Sequence, residues 1–189
     1  MRSRFRTVSI LALLLCANGS AASISEISVS RSKGELVSTA DFVVNAPREE
    51  VVRAFSSFDS LAELNPAIVE SSAETLSHGQ FRVTTRVKDC VLMFCKAVTL
   101  VERVRIDTDG NMRSEIQADG SDFKYGSASW TFEARGSQTF VSYRSAMRPD
   151  FWMPPLLGKQ AMQGALERQI RASIEKLERD RKVLASRGR

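Results

Sequence analysis

Polar and apolar residues alternate along much of this chain, which is the pattern of β-strands with one buried face. The clearest example lies at 81–87, where apolar or β-branched residues at odd positions alternate with charged or polar residues. Turn-forming residues such as Asp109-Gly110-Asn111 separate several such stretches, so consecutive strands are expected to pair as antiparallel hairpins. Further strands are predicted over 36–45, 68–76, 98–106, 112–118, 129–133 and 140–147.

Three segments have the spacing of helices instead. Pro47 suits the first turn of a short helix whose apolar positions recur as far as Phe58. Asp59-Ser60 can cap a second short helix, which Asn65-Pro66 then ends. A third, much longer amphipathic helix is predicted from Pro155 to about Leu184.

These elements predict an α+β fold. A curved antiparallel sheet of about six or seven strands would present one apolar face, with two short helices after the first strand. The C-terminal helix is the predicted element long enough to cover that face. A helix laid across a strongly curved sheet tends to leave a cavity. The length suits a single domain, placed at 36–184, and no internal repeat or long linker divides it.

The N-terminal segment has the three parts of a secretory signal peptide. Three arginines among the first six residues precede a mostly apolar run over 8–17, and small residues follow over 18–23. The run is about half of the ~20 residues needed to span a bilayer. We therefore predict a signal peptide over 1–22, cleaved after Ala21 or Ala22, and a periplasmic or secreted protein. An uncleaved anchor is the alternative.

Removal of this segment changes the charge of the protein. The net charge of +5 includes three arginines of the signal peptide and no acidic residue from it, so the mature chain carries +2. A generally basic surface for nucleic acid is therefore not indicated. Residues 23–35, rich in Ser, Lys and Arg, are predicted to be a flexible leader, and 185–189 a basic tail. The charged stretch after Glu175 is either a solvated helix end or a contact with an anionic membrane.

Cys90 and Cys95 are predicted to form a disulfide. They remain as a pair once Cys16 is removed, and an even number of thiols in an oxidising compartment favours a bond. The residues between them fit a tight reversal, which brings the two Cα atoms near the required distance. A metal site or a redox-active pair are the alternatives, but His78 is the sole histidine and the spacing is not C-x-x-C.

Glu102 is the candidate for polar chemistry inside the cavity, because it falls in phase with apolar positions of its strand. An inward carboxylate could orient a polar ligand group or act as a base with a raised pKa. A bulge or a position at the rim would explain it equally well. Arg144 could pair with Glu102 across the sheet or lie outside. The sequence shows no nucleophile with an oriented base, so we assign no catalytic residue and favour binding over catalysis.

Three motifs carry a resemblance to a known superfamily. They are the first strand followed by Asn-Ala-Pro-Arg-Glu-Glu-Val at 45–51, Phe-Asp-Ser-Leu at 58–61 leading to Asn65-Pro66, and Met-Pro-Pro-Leu at 153–156 before the long helix. Over roughly 36–181 the chain resembles the helix-grip (START/Bet v 1-like, SRPBCC) superfamily. That superfamily includes START lipid-transfer domains, polyketide cyclases and coenzyme Q-binding (Coq10-type) proteins.

The resemblance implies that a small hydrophobic ligand, such as a lipid, quinone or polyketide-like molecule, lies between sheet and helix. We expect no cofactor and no metal. The predicted ligand-binding residues are Phe55, Phe58, Phe81, Val83, Leu100, Glu102, Trp130, Phe132, Tyr143, Trp152, Met162 and Leu166. Filling of the core is the alternative role for the aromatic ones. The segment Phe151-Trp152-Met153 could be a lid or a membrane-contacting tip, or could tuck under the helix.

The predicted function is thus an exported binding or transport protein, with possible peripheral membrane contact. The first alternative is a cyclase- or hydrolase-like enzyme that uses a cavity carboxylate. The second is a protein-interaction module whose pocket is filled by its own side chains.

Overall fold

A computed structural model describes residues 22–91, 93–153 and 159–187 of the chain. The strands are β1 (Ser23–Ser32), β2 (Glu35–Val44), β3 (Ile68–Ser77), β4 (Gln80–Val91), β5 (Phe94–Ile106), β6 (Met112–Ile116), β7 (Phe123–Arg135) and β8 (Gln138–Pro149). The helices are α1 (Arg48–Ser56), α2 (Leu61–Leu64) and α3 (Lys159–Arg187), and a 3-10 turn lies at Phe58–Ser60. The α+β fold predicted from the sequence is confirmed.

The strands described form one antiparallel sheet in the order β1-β2-β8-β7-β6-β5-β4-β3. Strands β3 to β8 follow one another as a meander, as the alternating pattern and its turns predicted. Strand β2 pairs with β8 over Leu36↔Met147 to Val44↔Thr139, which joins the start of the domain to the last strand. The two short helices thus connect β2 to β3 at opposite parts of the sheet.

The structure differs from the sequence prediction in residues 23–35, where a flexible leader was expected. Residues of β1 pair with β2 from Ser23↔Val43 to Ser32↔Glu35, which brings the sheet to eight strands. The turn between them is formed by Lys33 (φ +50) and Gly34 (φ +85), both in the left-handed region that a two-residue hairpin turn requires. The sequence did not predict this strand because most of its residues are polar and Val29 is its one buried side chain.

Helix α3 covers the apolar face of the sheet. Its buried positions include Ile170, Ile174 and Leu177, which join the main core with residues of β2, β4, β5 and β8. Burial of each such side chain stabilises the fold by roughly 1.5–3 kcal/mol. The core therefore sits between the sheet and the middle of α3, as predicted.

Polar contacts fix α3 over the sheet along its length. Near its start, Gln163 donates a hydrogen bond from Nε2 to the carbonyl oxygen of Ile27 in β1 (2.7 Å). Near its end, Arg181 donates to the carbonyl oxygen of Asn45, and the Asn45 amide donates to Glu178 Oε1 (2.9 and 3.0 Å). These bonds hold the helix against β1 and against the connection between β2 and α1.

The predicted signal peptide lies outside the described residues, apart from Ala22, and so do Pro154 and Pro155. Of the predicted basic tail over 185–189, the first three residues continue α3. Within 22–91, 93–153 and 159–187, the structure contains no helix that is long and apolar enough to cross a membrane.

Candidate functional site

Two adjoining chambers lie between the sheet and α3. The Glu102 chamber has a volume of about 190 Å³ and the Tyr143 chamber about 180 Å³. They share four lining residues, Phe55, Asn65, Trp130 and Ser173. The other residues lining the Glu102 chamber are Phe58, Leu61, Leu64, Ile68, Val83, Thr85, Glu102, Val104 and Met112. The Tyr143 chamber is also lined by Phe42, Tyr143, Leu166, Gln169 and Ile170.

A row of short side chains crosses the sheet beside these chambers. Ser114 in β6 pairs with Ala128 in β7, Ala128 with Ser145 in β8, and Ser145 with Ser38 in β2. Directly opposite residues of antiparallel strands lie on the same face, so the four share the face that α3 covers. Because none of them reaches far from the sheet, space remains for the longer side chains of Glu102 and Tyr143.

Glu102 lies on this face, in the wall of its chamber. Its partner across the strands is Val83 in β4, and Ser114 Oγ donates a hydrogen bond to Glu102 Oε1 (2.7 Å). Burial raises the pKa of the Glu102 carboxyl above its usual range, and the hydrogen bond from Ser114 opposes that effect only in part. The remaining exposed surface of the side chain faces the chamber. Glu102 is therefore a buried acid that a ligand in the chamber would contact.

Tyr143 is the second titratable group lining the cavity. Burial raises its pKa to about 12, and the negative charge of Glu102 adds to the rise, whereas a hydrogen bond with the Ser145 side chain lowers it. Its ring packs against Trp130 with centroids 5.1 Å apart. The hydroxyl is therefore an uncharged hydrogen-bonding group at neutral pH.

The other polar groups that line the chambers are uncharged. Thr85, Asn65, Gln169 and Ser173 supply hydroxyls and amides, and no Lys, Arg, His or Asp is found among the lining residues that the structure describes. Gln169 Nε2 donates to Asp89 Oδ2 of β4 (2.5 Å) at one edge of the Tyr143 chamber. The cavity is thus apolar, with a few hydrogen-bonding groups and one carboxyl.

Aromatic side chains from the first helices form one wall. Phe55 of α1 contacts Phe42 and Phe132, with ring centroids 6.5 and 5.8 Å away. Phe58 contacts Phe81 at 5.2 Å. Phe55 and Phe58 line the chambers, while Phe81 and Phe132 support them from behind.

Seven of the twelve predicted ligand-binding residues line the chambers: Phe55, Phe58, Val83, Glu102, Trp130, Tyr143 and Leu166. Leu100 and Met162 are half-buried and line neither chamber. Trp152 is 72% exposed and lies on the surface, away from both chambers. Lining residues that the sequence analysis missed include Asn65, Thr85, Val104, Gln169 and Ser173. Thr85 and Val104 could have been predicted, because each lies two residues after a predicted site residue, Val83 or Glu102, and so on the same face of its strand.

Arg144 does not pair with Glu102. Its guanidinium donates to both carboxylate oxygens of Asp41 at 2.7 and 2.8 Å, which lowers the pKa of Asp41 and raises that of Arg144. The sequence left open whether Arg144 pairs with Glu102 across the sheet or lies outside it, and in the structure Arg144 lies on the outer face.

The structure joins Cys90 and Cys95 in the predicted disulfide, and the two are cross-strand partners at the end of the β4–β5 hairpin. His78 is exposed in the turn between β3 and β4. Across the described parts of the chain, no group of three or more His, Cys, Asp and Glu residues is arranged to hold a metal ion.

The segment before α3 points its three large side chains in different directions. Phe151 packs against Phe123 at 5.8 Å and lies under the Lys96 ammonium, and Met153 is buried. Trp152 is exposed beside a surface depression whose lining includes three cations, Arg31, Lys124 and Arg148. Two of the three residues therefore tuck into the fold and one is presented to the outside.

Comparison with known proteins identifies relatives of this arrangement. The model of a family described as polyketide cyclase/dehydrase and lipid transport matches residues 35–180 of this chain. Among the curated proteins there is no match.

Solved structures share the fold. The Zhui aromatase/cyclase from Streptomyces sp. R1128 has a TM-score of 0.61 at 14% identity, over 79% of this chain and 96% of that one. A STAR-related lipid transfer protein (fragment 25–204) from Xanthomonas axonopodis has a TM-score of 0.58 at 14% identity, over 80% and 98%. A protein from Thermus thermophilus has a TM-score of 0.60 at 19% identity, over 75% and 97%. At such identities the likeness shows the fold alone.

Proposed function

This chain belongs to the polyketide cyclase/dehydrase and lipid transport family, and we propose that it is an exported protein that binds and carries a small hydrophobic molecule. The observation that carries the proposal is the pair of adjoining, mostly apolar chambers under α3. Apolar walls with a few convergent polar groups are the usual composition of a small-molecule site.

The size of the chambers restricts the ligand. Together they reach the lower end of the range of about 300–1,000 Å³ that is typical of ligand pockets. This volume favours a compact molecule of a few rings, or one short chain, over a phospholipid with two acyl chains. A quinone or a polyketide-like aromatic compound fits this description, and the coenzyme Q-binding branch remains one candidate.

Two features of the chain support export. The predicted signal peptide precedes β1, whose first residue, Ser23, follows the expected cleavage site. The disulfide between Cys90 and Cys95 is typical of proteins that fold in an oxidising compartment. We therefore place the protein in the periplasm or outside the cell.

A peripheral membrane contact is part of the same proposal. The exposed Trp152 has the amphipathic ring that favours the membrane interface. Arg31, Lys124 and Arg148 lie around it together with one acid, Asp150, which pairs with Lys124 (3.2 Å) and leaves a net positive charge. A hydrophobic cargo has to be taken up from a membrane or released into one, so the carrier needs such a surface.

Native mass spectrometry of the protein purified from its own periplasm tests carriage directly. We expect a non-covalent adduct of one small molecule, which organic extraction recovers as a lipid, quinone or related compound. The same mass gives the mature N-terminus, expected at Ala22 or Ser23.

A variant that blocks the cavity serves as the matched test. Ser173 lines both chambers, so Ser173→Phe is expected to abolish the adduct by filling them. Arg179→Phe places the same side chain on the exposed face of α3 and should keep the adduct. Equal loading of the two variants, or no adduct in the wild-type protein, would contradict carriage.

One observation favours a second candidate function, an enzyme of cyclase or hydrolase type. Glu102 lies in the chamber wall with a raised pKa, as a general acid or base requires. Any turnover discovered for this protein should then be lost in Glu102→Gln; unchanged turnover would remove the support for this function. The open chambers argue against the alternative of an interaction module with a filled pocket.

A further inference from the structure

We infer that the ligand carries an uncharged carbonyl or hydroxyl oxygen, which enters the Glu102 chamber and accepts a hydrogen bond from the Glu102 carboxyl group. This inference rests on the proposed function, because it names the ligand class of the same cavity. It follows from the hydrogen bonding and the charges around Glu102.

The hydrogen bonds of Glu102 leave half of its carboxyl group open to the chamber. Ser114 Oγ donates to Oε1, and this is the one hydrogen bond of the Glu102 carboxyl in the described part of the chain. The second oxygen, Oε2, is not enclosed by other protein atoms, since Glu102 lines the chamber. A ligand in the chamber would therefore meet an oxygen atom without a protein partner.

No positive charge lies among the described residues that line the Glu102 chamber. The groups that line its chamber are Val83 and Thr85 of β4, Val104 of β5, Met112 of β6, Trp130 of β7, and apolar or uncharged residues of the helices and their connections. The titratable group that acts on it from β8 is Tyr143, an uncharged phenol at neutral pH. A charged carboxylate would have no counter-ion among the described residues here, so the uncharged acid is favoured.

An uncharged carboxylic acid has a proton to donate. Since Oε1 already accepts from Ser114, the O–H group on the second oxygen would face the chamber, where none of the described residues is hydrogen-bonded to it. A ketone, a quinone carbonyl or an alcohol supplies an acceptor without bringing a charge into the apolar site. A carboxylate or phosphate group would meet no cation there, and an ammonium group would leave most of its three N–H donors without acceptors.

Four naphthalene compounds with the same ring system test this ligand class. They are 2-acetylnaphthalene with a carbonyl acceptor, 2-ethylnaphthalene with none, 2-naphthoate with a negative charge, and 2-(aminomethyl)naphthalene with a positive charge. Titration calorimetry at pH 6 would give Kd for each with the wild-type protein and with Glu102→Leu and Glu102→Gln. Because ethylnaphthalene is the more hydrophobic compound, the quantity compared is the ratio of the ketone Kd to the hydrocarbon Kd.

We expect this ratio to rise about fivefold to tenfold in Glu102→Leu, as is typical of the loss of one hydrogen bond. Glu102→Gln, whose amide retains an N–H donor, should restore the wild-type ratio. In the wild-type protein ketone binding should weaken as the pH rises and Glu102 loses its proton, whereas in Glu102→Gln it should stay constant. The two charged compounds should bind more weakly than the ketone.

The outcomes separate this inference from the proposed function. If ethylnaphthalene binds but Glu102→Leu leaves the ratio unchanged, the ligand class is wrong and the hydrophobic site stands. If the amine binds more tightly than the ketone and loses that affinity in Glu102→Gln, the ligand is a cation and the inference is overturned. If neither uncharged compound binds the wild-type protein, both the inference and the proposed function fail.

Discussion

At the scale of single residues, Glu102 shows how a carboxyl group can be kept inside an apolar cavity. The hydrogen bond from Ser114 offsets part of the cost of removing it from water, and the raised pKa favours the protonated form, which carries no charge. Asp41, on the outer face, is instead kept in its charged form, because the Arg144 guanidinium pairs with it and lowers its pKa. The contribution of Glu102 to the stability of the fold should therefore fall as the pH rises, and that of Asp41 should fall as the pH decreases.

The raised pKa of Glu102 predicts that this residue destabilises the fold as the pH increases. The folded protein holds the Glu102 proton above the usual glutamate pKa of about 4.3, where the unfolded chain has lost it. Stability is therefore lost with rising pH, by at most about 1.4 kcal/mol per pH unit, until the folded carboxyl group also ionises. Glu102→Gln should be no more stable than the wild type near pH 4 and more stable at pH 7, by on the order of 1 kcal/mol.

Urea unfolding at pH 4 to 8 measures this difference in the free energy of unfolding. Glu115→Gln is the matched control, because Glu115 is exposed on the neighbouring strand β6. A constant difference between Glu102→Gln and wild type over this range would show that the pKa of Glu102 is the same in the folded and unfolded protein, and would contradict the prediction. Comparison with the control cancels the general effect of removing one acidic residue.

The sequence suggested an inward direction for Glu102 because side chains of a strand alternate between two faces, although a bulge or a position at the rim remained open. It could not place Arg144, since a long side chain at one position can pair within the sheet or outside it. Asn65, Gln169 and Ser173 were missed for a different reason: polar residues on a helix or in a connection carry no periodic signal. Leu100 was expected in the site because it alternates in step with the other apolar residues of its strand. Such alternation predicts which face of the sheet a side chain is on, but not how far it lies from a cavity.

At the scale of elements, β1 is the clearest failure of the sequence pattern. Its register with β2 is irregular between Ile24 and Glu26, so that strict alternation of apolar and polar residues is broken within the strand. The Lys33-Gly34 turn was the available signal, because glycine is favoured where φ is positive. Strands β4 and β5 and helix α3 were predictable from the sequence, because apolar residues recur in each at the spacing of a strand or of a helix over many residues.

The disulfide stabilises the end of the β4–β5 hairpin, which lies against α3. Cys90 and Cys95 are five residues apart, and closing so short a loop in the unfolded chain corresponds to about 2 kcal/mol of stability. Replacement of both by serine should lower the free energy of unfolding by about that amount. Arg168 of α3 donates to the carbonyl oxygen of Cys90 (3.2 Å), so the loss should also loosen this contact.

Urea unfolding with and without reductant checks the disulfide prediction. Reductant should destabilise the wild-type protein to the level of the double serine variant and leave that variant unchanged. Hydrogen exchange should rise in the hairpin and in the part of α3 near Arg168. Equal stability of the oxidised wild type and the variant would show that the hairpin holds its conformation without the bond.

At the scale of the whole molecule, the protein combines a partly open cavity under α3 with a separate outward-facing aromatic residue. The polar contacts of Gln163, Gln169 and Arg181 hold α3 over the chambers. Trp152 lies immediately before the connection to α3, beside cations of three other elements. In the function proposed above, the chambers would hold the molecule and Trp152 would contact the membrane.

Binding to lipid vesicles tests whether Trp152 makes that contact. The mature protein should bind vesicles that contain anionic phosphatidylglycerol and not pure phosphatidylcholine vesicles. The binding should weaken with salt, since Arg31 and Arg148 contribute by charge while Lys124 is paired with Asp150. Trp152→Ser should reduce binding several-fold without lowering stability, because the side chain is exposed. Leu184→Ser removes an equally exposed apolar side chain from the charged end of α3 and should bind as the wild type does. The reverse result would assign membrane contact to that helix end, and absence of binding in the wild type would exclude it for both surfaces.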